Sequence, residues 1–229
     1  MIRYKVNEQF DSIQGEGLLI GRPSTFIRLQ GCSVGCPWCD SGPLADELEG
    51  KRRTNGLTAN TWGAGGEWKT LEEIVGAINY NHVIITGGEP TIWNLDPIIE
   101  ACIMSDYTTQ LETSGQNNLK GNLLPNWITW SPKKNLDFEA PRQLKYWVKE
   151  VKYVIDDVIT PEDIQKTVDY YSLEQPDNFV QEFVLMPEGC PPSKENIDRT
   201  IRFLDSGVIN WYYFKARLGW RLQYSLNMR

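Results

Sequence analysis

Apolar positions along the chain come in short runs that switch between a period of two and a helical period. The opening MIRYKVNEQF alternates polar and apolar residues, unlike the continuous apolar core of a leader peptide. Phe26 to Leu29 reads as a buried strand running into Gly31. Thr70 and Glu73 form a capping-box pattern, which predicts a helix over 71–81. HVIIT, residues 82–86, is a β-rich run stopped by Gly87 and Gly88. Asp96 as N-cap and Pro97 as first helical residue predict a helix through Met104. Strands are expected at 108–112, 127–130, 148–155 and 179–185. Thr160 and Pro161 open another helix. Ser193 caps a last one, with Ile197, Ile201 and Leu204 at helical spacing. Strand and helix in alternation imply parallel strands with helical crossovers, an α/β sheet or partial barrel. Functional groups in such folds collect at the carboxyl ends of the strands.

One stretch breaks the rhythm. Residues 42–69 hold Gly42, Pro43, the basic triplet Lys51, Arg52 and Arg53, and the glycines 63, 65 and 66. They read as an insertion or lid, with a solvated charged face as the plainer alternative.

A length of 229 residues suits one domain. With 41% hydrophobic and 23% charged residues, the composition is that of a globular chain rather than a disordered one. No apolar run approaches the roughly 18–20 residues that a membrane helix needs, so no membrane partner is expected and the cytoplasm is the expected compartment. A net charge of −7 argues against nucleic acid as a partner, because neutralising phosphates needs massed Lys and Arg. Any anionic substrate must be met by local positive charge.

The chain has five cysteines, at 32, 36, 39, 102 and 190, and one histidine, His82. Three cysteines within eight residues, in a chain expected to carry no leader, point to metal binding or redox chemistry rather than a disulfide framework. Cys32, Cys36 and Cys39 have the spacing C-x3-C-x2-C. On a loop they can converge on one inorganic centre. A [4Fe–4S] cluster normally takes four cysteines, and three leave one iron open to a chelating cofactor. The alternative is a zinc site completed by Cys102, Cys190 or His82, although zinc sites commonly pair C-x2-C units. Cys102 in an apolar helical run and Cys190 beside Pro191 read as buried or incidental thiols.

This spacing, in the loop after an early strand, resembles the radical S-adenosylmethionine superfamily. Gly87-Gly88-Glu89-Pro90 at the end of HVIIT resembles its GGEP motif. There the glycines let backbone approach the cofactor's methionine end, and Glu89 offers it a carboxylate. Within the superfamily the chain resembles the 7-carboxy-7-deazaguanine synthase family. The likeness is carried by Phe10 to Gly17 (FDSIQGEG), Phe26 to Cys32 (FIRLQGC), Trp38-Cys39-Asp40-Ser41, Trp62-Gly63, and 84–90. It continues through Leu111 to Gly115 (LETSG), Trp130-Ser131-Pro132-Lys133, Glu150-Val151-Lys152 and Leu226-Asn227.

That resemblance implies a partial parallel (β/α) barrel of the radical S-adenosylmethionine type, with an insertion after the cluster loop. It implies a [4Fe–4S] cluster, S-adenosylmethionine and Mg²⁺ as cofactors. The substrate would be 6-carboxy-5,6,7,8-tetrahydropterin and the product 7-carboxy-7-deazaguanine, with loss of ammonia after a 5′-deoxyadenosyl radical takes the C6 hydrogen. Cys32, Cys36 and Cys39 match the cluster ligands. Trp38, Cys39, Asp40, Gly88, Glu89, Ser131, Pro132 and Lys133 match cofactor-contacting positions. Ile13, Gln14, Gly15, Arg28 and Thr86 match pterin positions, Arg28 clamping the substrate carboxylate with its planar fork of donors. Ser41 would ligate Mg²⁺. An electron donor such as flavodoxin or ferredoxin, and a homodimer, are the partners implied. The chain departs from the family pattern at Ser41, where threonine is commoner. It departs again at Leu185-Met186-Pro187-Glu188, and at a missing C-terminal histidine near Gln223.

Each role has a plainer counterpart: Arg28 pairing with a neighbouring carboxylate, Gln14-Gly15 as a simple turn, Trp38 as packing, and Ser41 as a cap. Two other functions share the cysteine motif, a glycyl-radical-activating protein and a non-enzymatic iron–sulfur regulator.

Overall fold

The computed structural model describes residues 1–36, 39, 65–174, 180, 182–189, 191–209 and 214–222. Its strands are β1 (Arg3–Ile13), β2 (Pro23–Leu29), β3 (Glu67–Thr70), β4 (His82–Gly87), β5 (Thr108–Thr113), β6 (Trp127–Trp130), β7 (Glu150–Ile155), β8 (Glu182–Pro187) and β9 (Lys215–Leu218). Its α-helices are α1 (Leu71–Gly76), α2 (Asp96–Met104), α3 (Arg142–Trp147), α4 (Pro161–Asp169) and α5 (Lys194–Asp205). The strands make one sheet in the order β3-β1-β2-β4-β5-β6-β7-β8-β9. From β2 to β9 every neighbouring pair is parallel. β9 and β3 are its two edges, so the parallel part is an open, partial barrel, as expected. β1 and β3 add an antiparallel edge that the sequence pattern did not reveal.

Period two along the strands sorts their side chains onto two faces. Ile27, Leu29, Val83, Ile85, Leu111, Val151, Tyr153 and Phe183 join Ile74, Ile98, Ile164 and Phe203 of the helices in one apolar core. Each such side chain contributes about 1.5–3 kcal/mol when fully buried. The intervening residues, among them Arg28, Thr86, Gln110, Glu112, Glu150 and Lys152, fall on the opposite, concave face. That face is polar.

Several boundaries differ from the sequence reading. The Thr70–Glu73 capping box is present, but α1 stops at Gly76 instead of reaching 81. The Thr25 hydroxyl accepts from the backbone N–H of Asn79 and Tyr80 at 3.1 and 3.2 Å, which ties that segment to β2 in place of another helical turn. Asp96 is not a cap: its carboxylate accepts from the N–H groups of Asn122 and Leu123 at 2.8 and 2.9 Å. The short α3 takes Val148 out of the predicted strand, and β8 starts at Glu182. In α5, Ser193 caps through Asn196 N–H at 3.1 Å. Its inner stripe is Thr200 and Phe203, however, while Ile201 is 41% exposed. The end of the expected 42–69 lid is β3, a strand of the sheet; residues 42–64 lie outside the described residues. No helix among the described residues is long and apolar enough to cross a membrane.

Candidate active site

The loop leaving β2 carries Cys32 and Cys36, with Cys39 one turn further on, its N–H donating to the Cys36 carbonyl at 3.3 Å. All three thiols are free and half-buried. The loop is held from outside: Asn135 Nδ2 donates to the carbonyls of Val34 at 2.8 Å and Gly35 at 3.0 Å, and Gln116 donates to the Ser33 hydroxyl. Burial raises the Cys32 thiol's pKa, with Glu89 and Cys39 adding. Burial likewise pushes Cys36 up to about 11, against the pull of Lys133 and with Cys39 and Cys32 adding. Three soft donors within electrostatic reach of one another suit an iron–sulfur cluster.

The zinc alternative fares worse. Among the described residues no three His, Cys, Asp or Glu side chains, the loop cysteines included, stand as a preformed ion site, so the comparison turns on what could serve as a fourth zinc ligand. Cys102 is fully buried in the core on α2. His82 opens β4, the strand end away from the cysteines, and bonds Thr108 at 2.9 Å and Gln110 at 3.2 Å. Cys190 lies outside the described residues.

β4 ends against the cysteine loop. A Cβ on Gly87 would stand 2.0 Å from the Leu29 carbonyl oxygen. Gly88 N–H donates to Leu29 O at 3.2 Å and Glu89 N–H to Gly31 O at 2.8 Å. The glycines thus let two loops touch. Glu89 is fully buried, and its surroundings differ from the expected role of offering a carboxylate to a cofactor. The carboxylate accepts from Thr91 N–H (3.1 Å), Thr91 Oγ1 (2.6 Å), Thr113 Oγ1 (2.6 Å), Ser114 N–H (2.8 Å) and the Ser114 hydroxyl. It knits the end of β4 to the end of β5. Ser131 and Pro132 follow β6, and Lys133 Nζ donates to Ser131 Oγ at 2.5 Å. Burial lowers the Lys133 pKa, while Cys36, Glu89 and Glu112 pull it up and Lys152 adds to the lowering. The structure therefore brings Cys32, Cys36, Gly88, Glu89, Ser131, Pro132 and Lys133 together at the carboxyl ends of β2, β4 and β6. Trp38, Asp40 and Ser41 lie outside the described residues.

Below this rim is the concave face. The β1–β2 hairpin closes by Gln14 N–H to Arg22 O at 2.8 Å and Gly21 N–H to Gln14 O at 2.7 Å. Its tip lies on the strands. Gln14, 4% exposed, donates to Gln110 Oε1 at 3.1 Å and Glu112 Oε1 at 3.3 Å. Gly15 O accepts from Leu222 N–H at 2.9 Å, and Ile13 ends β1. Arg28 and Thr86 are register partners on β2 and β4. Arg28 Nε sits 2.7 Å from Glu8 Oε1, so the plainer pairing reading of Arg28 is realised in this structure.

The centre of that face is an ionic group that sequence reasoning did not single out. Lys152 Nζ donates to Glu16 Oε2 and Glu112 Oε2, each at 2.7 Å. Arg221 reaches Glu16 at 3.1 Å, and Glu150 accepts from Leu18 N–H at 2.7 Å. Burial works against the Lys152 charge, but Glu112, Glu16 and Glu150 together hold its pKa above the usual lysine range. Burial raises Glu112 against the pull of Lys152, and pushes Glu150 up to about 7. The signal was present: Glu150 and Lys152 alternate with Val151 and Tyr153 in an otherwise apolar strand.

No protein-family model matches the chain. The chain is similar to the 7-carboxy-7-deazaguanine synthase of Escherichia coli (strain K12), 37% identical over 165 residues that cover 67% of this chain and 73% of the relative. It is similar to that of Aquifex aeolicus (strain VF5), 34% identical over 204 residues covering 86% and 82%. Among solved structures it is similar to QueE from Escherichia coli, with a TM-score of 0.67, 27% identity, and coverage of 94% of this chain and 93% of that one.

Proposed function

The chain belongs to the 7-carboxy-7-deazaguanine synthase family, and from that premise we propose that it is a radical S-adenosylmethionine lyase. It converts 6-carboxy-5,6,7,8-tetrahydropterin to 7-carboxy-7-deazaguanine and ammonia. The observation that carries the reading is the contact of two loops: the three-cysteine loop after β2 packs on the Gly87–Glu89 turn after β4, above a polar concave face.

When bound, a [4Fe–4S] cluster with S-adenosylmethionine supplies the one-electron chemistry that starts hydrogen abstraction. Cys32, Cys36 and Cys39 would hold the cluster. Gly88, Ser131, Pro132 and Lys133, with Trp38 and Asp40, would hold S-adenosylmethionine. Glu89 keeps their turns in place rather than reaching outward. Arg28, Thr86, Ile13, Gln14 and Gly15 line the side where a pterin would lie, and the hairpin tip excludes water from it. A wall of carboxylates, amides and one ammonium suits a ring rich in N–H and C=O groups. Mg²⁺ on the Ser41 hydroxyl follows from the preference of that ion for oxygen donors, few protein ligands and substrate oxygens. A flavodoxin- or ferredoxin-type donor, a homodimer and a cytoplasmic location belong to the same proposal.

The test is anaerobic reconstitution with iron and sulfide, then incubation with S-adenosylmethionine, a reductant and the tetrahydropterin. Formation of 7-carboxy-7-deazaguanine by mass spectrometry is the expected result. Cleavage of S-adenosylmethionine without that product would overturn the substrate assignment and favour an activating enzyme with a protein substrate.

A further inference from the structure

We infer that Glu150 is a positioning residue, which seats the tip of the β1–β2 hairpin on the concave face through Gly17 and Leu18. The inference deepens the proposed function and rests on it for the identity of the substrate. The tip is a closed loop, since Gln14 bonds both Arg22 and Gly21 through its backbone. It is one hydrogen-bonded unit, and its contacts with the sheet decide where that unit lies.

Glu150 does so from the first position of β7, 1% exposed. Its Oε2 accepts the Leu18 N–H at 2.7 Å. On the same carboxylate lies Gly17, with φ of +69° and no space for a side chain. A Cβ there would stand 2.2 Å from Oε1, 2.5 Å from Oε2 and 2.7 Å from the carboxyl carbon. Hairpin backbone and carboxylate are in direct contact. A left-handed conformation already favours glycine, and here the neighbour demands it as well.

Fixing Leu18 and Gly17 also fixes what precedes them. Glu16 N–H donates to Gln14 Oε1 at 3.1 Å, and Glu16 Oε2 accepts from Lys152. Gln14 and Gly15, placed at the pterin by the proposed function, are therefore set by a residue that need not touch substrate. Glu150 acts through them.

A double-substitution cycle separates seating from general stability. Glu150→Ala and Gly17→Ala should each raise KM for the tetrahydropterin by about tenfold or more, the scale of leaving a buried donor unsatisfied, with a smaller change in kcat. Hydrogen exchange in the segment 14–18 should become faster in both. Glu150→Gln, which keeps an acceptor oxygen of the same size, should sit nearer wild type. The cycle is diagnostic, because Gly17→Ala loses its steric target once Glu150 is Ala. On that background it should retain only the modest cost of a left-handed alanine. Unchanged exchange at 14–18 in Glu150→Ala, or effects of the two substitutions that simply multiply, would overturn the inference. Absence of pterin turnover by the wild-type enzyme would instead overturn the proposed function. The exchange measurements still decide the seat in that case.

Discussion

Gly88 and Gly31 lie back to back: a methyl group on Gly88 would stand 2.2 Å from the Gly31 carbonyl oxygen and 2.6 Å from Cys32 Cβ. Contacts this short involve backbone, which cannot swing aside as a flexible side chain can. Gly88→Ala must therefore push the cysteine loop away from the end of β4. Iron retained after anaerobic reconstitution should fall well below wild type, as it should for Ala at Cys32, Cys36 or Cys39. Cys102→Ala should retain wild-type iron, because Cys102 is packed in the core on α2. Wild-type iron content in Gly88→Ala would show that the loops tolerate separation.

Glu89→Gln tests whether the carboxylate is a structural hub. Thr91, Thr113 and Ser114 all donate to Glu89, so an amide in its place turns one acceptor into a donor facing donors. The cost of leaving a buried partner unsatisfied is about 1–3 kcal/mol. Urea unfolding should show a loss of that size at an unchanged slope. A variant as stable as wild type would free the carboxylate for a direct role.

The elements carried by strong local signals were legible in the sequence. The capping box at Thr70, the Thr160–Pro161 start and the glycine stop after HVIIT place β4 and the starts of α1 and α4 correctly, because each depends on nearest neighbours. β1 and β3 escaped for the opposite reason. β3 forms by pairing with β1 across some sixty residues of sequence, which no short window contains, and β1 is placed by that pairing together with its hairpin to β2. Gly87 and Gly88 were legible as glycines with a purpose, but the backbone they meet belongs to another strand. Glu112, Glu150 and Lys152 stood in plain view within quoted motifs. Only the alignment of β5 with β7 and the folding back of the hairpin make them one ionic group.

The Glu150 carboxyl group also sets a pH dependence. Burial pushes it from the ordinary glutamate range up to about 7, with Glu112 and Glu16 adding, and with Lys152 and the Leu18 N–H opposing. The folded state then binds a proton more readily than the unfolded chain. Stability is fully present below the unfolded value and is lost as pH rises through the folded one. The change amounts to about 3 kcal/mol, and Glu112 shifts in the same direction. Melting temperature should fall from about pH 5 to about pH 7. Glu150→Gln, which stays neutral, should flatten that fall. An equal slope in wild type and variant would assign the titration to another group.

Arg28 has two readings, and its surroundings make them separable. Its Nε lies 2.7 Å from Glu8, and its guanidinium carbon lies 5.8 Å from the Phe10 ring centre, a ring that stacks on Phe26 at 5.0 Å. The guanidinium is thus oriented from one side by a carboxylate and from another by an aromatic face. A partly exposed ion pair such as this, with side chains 20% and 37% exposed, contributes about 1 kcal/mol. A charge-assisted bidentate contact to a substrate carboxylate is larger, about 2–5 kcal/mol when one partner is removed. Arg28→Lys keeps a cation for Glu8 but loses the planar fork. If Arg28 clamps the pterin carboxylate, Arg28→Lys should raise KM for the pterin by about thirtyfold or more while melting close to wild type. Glu8→Gln should then change KM far less, since it removes only the orienting partner. The pairing reading makes the opposite demand: Glu8→Gln should lose a small increment of stability and Arg28→Lys, which keeps a cation, no more than that, with KM unmoved in each. Steady-state kinetics and a thermal melt on the two variants decide between them, and an unchanged KM in Arg28→Lys removes Arg28 from the substrate site.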